Sequence, residues 1–415
     1  MINIAVLGHG VVGSGVVEVL EKNSQSIGQK AGEQINLKYI LDLRDFPESP
    51  YRDKFVKDFE IIANDPEIKV VVEVMGGVSP AFEFASRCLS SGKSIVTSNK
   101  ELVAAKGDVL LALAKENNAN FLFEASVAGG IPIIRPISQC LAANEVFEIS
   151  GILNGTTNFI LAKMIKDGME FSEALSLAQQ LGYAEKNPAA DIEGHDACRK
   201  ICILASLAFG YHVYPDEVYT EGITKITLED VRCAELFGGA IKLIASVKRN
   251  NDGTVFIVTA PMIVSFDSQL AHIDGVYNAV LVRGDAIGDV VFSGRGAGKL
   301  PTASAVVGDV IDSVKHLKAR KYLYWDKSKT GYVRDINEDI ASFYVRAKAS
   351  DSTKAIAGIK EIFGEVQIVL EENGEIVFKT SVNTVGETYE NLKKLEQNGC
   401  EILSRIRFFD IGAEQ

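Results

Sequence analysis

The chain has 415 residues, 47% of them hydrophobic and 24% charged, and carries a formal net charge of −12. At roughly 100–200 residues per domain this suits a soluble protein of two or three domains with material for a sizeable core. An acidic chain without a lysine- or arginine-rich run argues against nucleic acid or an anionic membrane surface as partner.

The first 130 residues alternate β-rich runs with helical patterns, the rhythm of a parallel sheet. Ile2–Leu7 reads as a strand, Val12–Leu20 as a helix and Leu37–Leu41 as the second strand. Val70–Val74 is a buried strand followed by a helix over Ala81–Ser90. Ser94–Thr97 is a strand, residues Leu110–Lys115 are helical, and Asn120–Phe123 closes the set. Beyond Gly129-Gly130-Ile131-Pro132 the character changes. Val146–Leu153 is a strand, Asn154-Gly155-Thr156-Thr157-Asn158 opens a helix through Met164, and Phe171–Leu181 forms another. Residues 185–200 lead from a turn into an apolar helix ending near Gly210. Ala240–Val247, Val255–Pro261 and Ala279–Val282 read as strands of a mixed sheet. Gly294-Arg295-Gly296-Ala297-Gly298 precedes a helix over Thr302–Val314, expected to pack back on the first domain.

Residues 342–415 read as a separate unit. Strands Phe343–Ala347, Val366–Leu370, Glu375–Ser381 and Ile402–Phe408 alternate with helices Thr353–Phe363 and Thr388–Gln397. Asn373-Gly374 makes the hairpin turn. The order βαββαβ is the ferredoxin-like arrangement. The expected architecture is therefore α/β: a doubly wound Rossmann-type sheet over 1–130, an α+β domain with a mixed sheet over 131–330, and a ferredoxin-like unit. The six cysteines lack a Cys-x-x-Cys pair and read as reduced thiols of a cytoplasmic protein. The N-terminus has no basic leader, and no apolar run reaches the ~20 residues of a membrane span.

Gly8-His9-Gly10-Val11-Val12-Gly13 satisfies Gly-x-Gly-x-x-Gly between a strand and a helix. Its glycines allow the tight turn, the approach of a pyrophosphate and close packing, while the helix's first N–H groups face the phosphates. At the end of the second strand stand Asp42 and Arg44. An acid there suits the ribose hydroxyls of NAD and an arginine the extra phosphate of NADP, so both coenzymes stay open. Asp196 and Lys200, four residues apart, share a helix face. A lysine held beside a carboxylate can protonate a carbonyl oxygen, or the two can form a plain surface ion pair.

These segments, with Ser98-Asn99-Lys100, Phe123–Pro132, Gly151–Asn158 and Leu181–Glu185, resemble homoserine dehydrogenase over residues 1 to about 330. That family uses NAD(P)H to interconvert L-aspartate 4-semialdehyde and L-homoserine. The resemblance implies that Lys200 donates the proton to the aldehyde oxygen, Lys100 assists it, and Asp196 orients Lys200 or the hydroxyl. It implies that Glu185 and Asp191 hold the substrate ammonium, with Gly182, Tyr183, Asn154, Gly155 and Thr156 completing the substrate site. Thr156 or Thr157 can equally be an ordinary helix cap. Gly296 and Gly298 resemble the loop that closes over the nicotinamide. Glu124, with the carbonyls of Val127, Gly129 and Ile131, resembles a monovalent-cation site for sodium; a glycine-rich turn with a capping acid is the alternative. The C-terminal unit resembles an ACT domain, an amino-acid-sensing module. It departs from that pattern after its first strand, where Ala349-Ser-Asp351-Ser-Thr353 replaces the usual Pro-Gly turn. A homodimer or homotetramer is also implied. A non-catalytic sensor of nucleotide and amino acid, and a dehydrogenase for another small oxo acid, are the competing readings.

Overall fold

The computed structural model describes residues 1–321 and 323–409. The last residues of the C-terminal unit expected over 342–415, and Tyr322 of the middle domain, lie outside the described residues. The chain divides into two compact units. The first comprises 1–146, 199–215 and 283–329, and the second 147–198, 216–282 and 330–415. The partition therefore does not follow the contiguous blocks 1–130, 131–330 and 342–415, because the chain leaves each unit and returns to it.

The first unit is built on six parallel strands: β1 (Ile2–Leu7), β2 (Ile35–Leu41), β3 (Phe55–Val56), β4 (Ile68–Glu73), β5 (Ser94–Thr97) and β6 (Phe121–Leu122). Their spatial order is β3-β2-β1-β4-β5-β6. The order reverses beside β1, so the loops after β1 and β4 open at the switch point where such sheets take ligands. β1 and β4 are continuous apolar runs because both faces are covered, and Ile4–Leu7 and Val70–Val72 are wholly buried. The helix Val11–Lys22 follows β1, and the helix Lys299–Lys315 lies against it. A Cβ on Gly15 would stand 2.8 Å from the Lys299 carbonyl oxygen, so only glycine lets these helices approach so closely. The helix after β5 is longer than the pattern suggested, Lys100–Glu116, because Asn99 caps it by accepting the Leu102 N–H at 3.1 Å.

The second unit carries a mixed sheet. Its strands are β7 (Val146–Ile152), β8 (Tyr219–Thr220), β9 (Gly239–Arg249), β10 (Val255–Ser265) and β11 (Tyr277–Gly284); β12 (Gly288–Arg295) belongs by chain position to the first unit. They are followed by β13 (Ile340–Ala341), β14 (Phe343–Lys348), β15 (Gln367–Glu372), β16 (Glu375–Lys379), β17 (Asn383–Thr384) and β18 (Glu401–Phe409). From β11 the order runs β11-β7-β9-β10-β18-β14-β16-β15, and β13 pairs with β17 apart from it. The long antiparallel pair β9–β10 is buried along most of its length.

The C-terminal segment keeps the chain order βαββαβ, with helices Ser352–Phe363 and Val385–Gln397, over its own core of Phe343, Val345, Ile359, Phe378 and Leu395. It does not form a separate sheet, as the sequence pattern led us to expect. β18 pairs in parallel with β10 through Met262, Ile263 and Val264, joining both sets of strands. Pairing satisfies the backbone groups that an open sheet edge would leave exposed. A helix at Leu228–Leu236, to which the sequence reading assigned no element, is started by a capping box of Thr227 and Asp230. All six cysteines are free, five of them buried. Among the described residues, no helix is long and apolar enough to cross a membrane.

Candidate active site

In the first unit the coenzyme fingerprint has the geometry that its glycines dictate. Gly8 adopts φ +97°, and a Cβ on Gly13 would fall 2.0 Å from the Gly8 carbonyl oxygen. Nothing stands within 4 Å of the Cβ position of Gly10, which leaves room for a ligand against the backbone. Val11 and Val12 begin the helix, whose first-turn N–H groups have no intrahelical acceptor. These features fit a dinucleotide.

The acid and the arginine after β2 turn out to hold each other. Asp42 accepts from the Arg44 side chain at 2.9 and 2.8 Å and from the backbone N–H of His9 at 2.8 Å. Arg44, with its neighbouring amide donors, keeps the Asp42 carboxyl far below its ordinary range. The His9 ring meets Phe46 and Phe55 edge-on, each at 5.0 Å, and burial lowers its pKa.

Glu73, fully buried at the end of β4, accepts from Thr97 Oγ1 at 2.6 Å and from the Met75 N–H at 2.8 Å. Burial raises its pKa. Thr97 Oγ1 also accepts the Asn99 N–H, and the Asn99 amide donates to the Gly77 carbonyl at 2.6 Å. This chain of bonds, which sequence reasoning missed, fixes the turn that presents Lys100 as the first residue of its helix.

Glu124, read as one ligand of a cation site, has its carboxylate engaged within the chain. Its carboxylate accepts three backbone N–H groups, from Ile133 at 2.6 Å, Ile134 at 2.8 Å and Arg135 at 2.9 Å. The Arg135 guanidinium lies 3.2 Å away and also binds Asp309 at 2.8 Å. Both carboxylate oxygens of Glu124 are thus held by donors within the chain. Gly129 (φ +56°) packs instead on the returning loop: its Cβ would meet the Gly296 carbonyl at 2.3 Å. Ile131 donates its N–H to Ala128, and Val127 is buried. Gly298 (φ +127°) starts the Lys299–Lys315 helix.

In the second unit one side chain organises the residues expected to bind substrate. Asn154 caps the helix Gly155–Asp167, its Oδ1 accepting the Thr157 N–H at 2.8 Å. The cap is therefore Asn154 rather than Thr156 or Thr157. Its Nδ2 donates to Asp191 at 2.6 Å and to Asp196 at 2.8 Å, so the amide that was read as a substrate donor clamps two carboxylates. Asn154 and Asp196 are buried, and Asp191 is half-buried. Thr156 Oγ1 donates to the Tyr183 carbonyl at 2.7 Å, tying in the turn at Gly182 (φ +75°), whereas Glu185 is exposed. The helix His195–Phe209 carries Asp196 in the second unit and, one turn on, Lys200, which is counted in the first unit and is only 8% exposed. A burial this deep removes the surface ion-pair alternative.

Two family models match the chain: one described as homoserine dehydrogenase over residues 132–311, the other as homoserine dehydrogenase, NAD binding domain, over 8–124. The homoserine dehydrogenase of Pseudomonas aeruginosa is 38% identical over 378 residues, covering 89% of this chain and 87% of that one. The chain belongs to the homoserine dehydrogenase family. It is accordingly an NAD(P)-dependent oxidoreductase acting on a CH–OH group. A solved homoserine dehydrogenase from Thiobacillus denitrificans matches with TM-score 0.90 at 34% identity, covering 99% of both chains. A hyperthermophilic archaeal homoserine dehydrogenase in complex with NADPH matches with TM-score 0.64 at 29% identity, covering 75% of this chain and 97% of its own.

Proposed function

We propose that the chain interconverts L-aspartate 4-semialdehyde and L-homoserine, with Lys200 delivering the proton to the carbonyl oxygen. The observation that carries this reading is the Asn154 amide gathering Asp191 and Asp196 beside the start of the helix that bears Lys200. Paired carboxylates suit a substrate ammonium, and a buried lysine suits an oxygen that gains negative charge. The bound coenzyme supplies or accepts the hydride. In this scheme Asp191 and Glu185 bind the ammonium and Asp196 orients Lys200. Lys100 adds positive charge to the same oxygen, and the N–H groups of Gly155 and Thr156 receive the substrate carboxylate. In the reverse direction Lys200 takes the hydroxyl proton back.

NADP(H) is the coenzyme this reading favours. Asp42, paired with Arg44 and the His9 N–H, does not repel a phosphate, and the Arg44 side chain is 62% exposed and able to exchange partners. The archaeal relative solved with NADPH supports the same preference. The C-terminal segment is proposed as an ACT-like regulatory unit, on the strength of its βαββαβ order and of the archaeal match that spans only 75% of this chain. Its first turn is closed, however, by a bond from the Ala349 N–H to the Gly374 carbonyl, and Asp351 caps the next helix. A structural use of the unit is therefore part of the proposal. Assembly as a homodimer or homotetramer rests on the family resemblance, and a cytoplasmic setting fits the unpaired cysteines.

The test is loss of nicotinamide absorbance when L-aspartate 4-semialdehyde is added to enzyme and NADPH. Succinate semialdehyde, which lacks the amino group, should react far more slowly. Equal rates would show that the ammonium is not recognised and favour a dehydrogenase for simple oxo acids.

A further inference from the structure

Asn278 lies near the start of β11, is 1% exposed, and has no hydrogen-bond partner for either side-chain polar atom among the described residues. A buried amide left in that state is costly, so such a position calls for a partner from outside the chain. The backbone around it is not slack. Asn158 Nδ2 donates to the carbonyls of Ile273 and Tyr277 at 3.0 and 3.1 Å, and the buried Lys242 ammonium donates to Ile273 at 2.7 Å. These bonds fix the entry to β11 and hence the direction of the Asn278 side chain.

That direction is toward Gly155. Asn278 Oδ1 lies 3.4 Å from the point where a Cβ on Gly155 would stand, and the Val276 carbonyl lies 2.8 Å from it. Gly155 is the first residue of a 13-residue helix, and Asn154 Oδ1 takes the Thr157 N–H. The N–H groups of Gly155 and Thr156 precede the first intrahelical bond and point out of the helix end. A half-turn of the Asn278 amide presents Nδ2 in place of Oδ1, since the two atoms are near-equivalent in shape. The Asn278 amide thus lies against the first residue of a helix whose free N–H groups and positive end suit a carboxylate. Gly155 is part-exposed, so the first turn can be reached from solvent.

We propose that Asn278 is a substrate-binding residue, donating its amide to the carboxylate of the amino-acid substrate at the first turn of the helix Gly155–Asp167. The proposal rests on the function proposed above and adds the residue that makes an amino acid, rather than a plain amino alcohol, the preferred substrate. The neutral amide strengthens the site without adding a charge that would compete with Lys200.

The experiment uses full-length enzyme with Asn278→Asp and Asn278→Ser. It measures KM and kcat for L-homoserine, the inhibition constant of 3-amino-1-propanol (homoserine without its carboxylate), and NADPH affinity by fluorescence titration. Asn278→Asp should raise KM for homoserine about 10- to 100-fold, the range of one hydrogen bond to a charged group. Its kcat, its NADPH affinity and the inhibition constant of 3-amino-1-propanol should stay within about twofold. Asn278→Ser should show a smaller change of the same kind, and it decides the matter alone if Asn278→Asp does not fold. If the KM for homoserine is unchanged, or moves in parallel with the inhibition constant of 3-amino-1-propanol, Asn278 binds only structural water and the proposal fails. Should the wild-type enzyme not oxidise homoserine, the function proposal fails separately. Thermal stabilisation by homoserine, lost in Asn278→Asp, then decides the binding role by itself.

Discussion

Asn154 is the residue whose replacement most exposes the logic of the substrate half. In Asn154→Asp the carboxylate still caps the helix at Thr157, because aspartate serves as well as asparagine there. What it loses is the donor that sits 2.6 Å from Asp191 and 2.8 Å from Asp196. Two hydrogen bonds to charged acceptors are worth roughly 1.5–3 kcal/mol each, so about 3–6 kcal/mol is at stake if they add. The new acid, crowded by two carboxylates, would hold its proton well above the ordinary aspartate range. A carboxyl whose folded pKa is raised keeps full stability at low pH and loses it as pH rises above the unfolded value. Asn154→Asp should therefore lose stability to urea relative to wild type progressively from about pH 4 upward, less at pH 5 than at pH 8, and kcat/KM for homoserine should fall over the same interval. Asn154→Ala lacks the cap as well and should be destabilised at both pH values, by roughly a further 0.5–2 kcal/mol. Unfolding of both variants within about 0.5 kcal/mol of wild type at pH 8 would refute the clamp.

Further perturbations address other parts of the molecule. Gly13→Ala must open a 2.0 Å contact with the Gly8 carbonyl, a displacement of more than about 1 Å, and at that scale a loss near 100-fold in kcat/KM with NADPH is expected in steady-state assays. Arg44→Ala should abolish the proposed preference for NADPH over NADH in kcat/KM, and an unchanged ratio would separate Arg44 from coenzyme choice. Asp309 is fully buried, and burial pushes its carboxyl up to about 7 from an ordinary 3.8. The folded chain thus holds a proton that the unfolded chain releases. Between about pH 4 and 7 this group makes stability fall as pH rises, and above 7 the penalty is constant. Asp309→Asn should remove that slope from a plot of Tm against pH.

The coenzyme half was legible because its signal is local. Gly8, Gly10 and Gly13 sit within one strand–turn–helix: Gly8 takes φ +97°, a Cβ on Gly13 would meet the Gly8 carbonyl, and Gly10 leaves the backbone open. The helix at Leu228–Leu236 was equally local, with Thr227 and Asp230 at capping-box spacing, but the apolar runs around it masked it. The substrate half was legible only as a set of residue types. Asn154, Asp191 and Asp196 are 37 and 42 residues apart, and nothing in the spacing says that one amide would bridge both acids. Glu124 shows the same limit: an acid in a glycine-rich segment does not announce that Ile133, Ile134 and Arg135 will donate to it. The β10–β18 pairing joins residues more than a hundred positions apart, beyond any pattern in strand periodicity.

The central claim is that the Lys200 ammonium protonates the substrate oxygen, and Lys200→Met tests it while preserving length and burial. Single-turnover oxidation of bound NADPH by L-aspartate 4-semialdehyde should slow by orders of magnitude in the variant, with NADPH affinity unchanged. A variant that consumes NADPH at the wild-type rate would contradict the account.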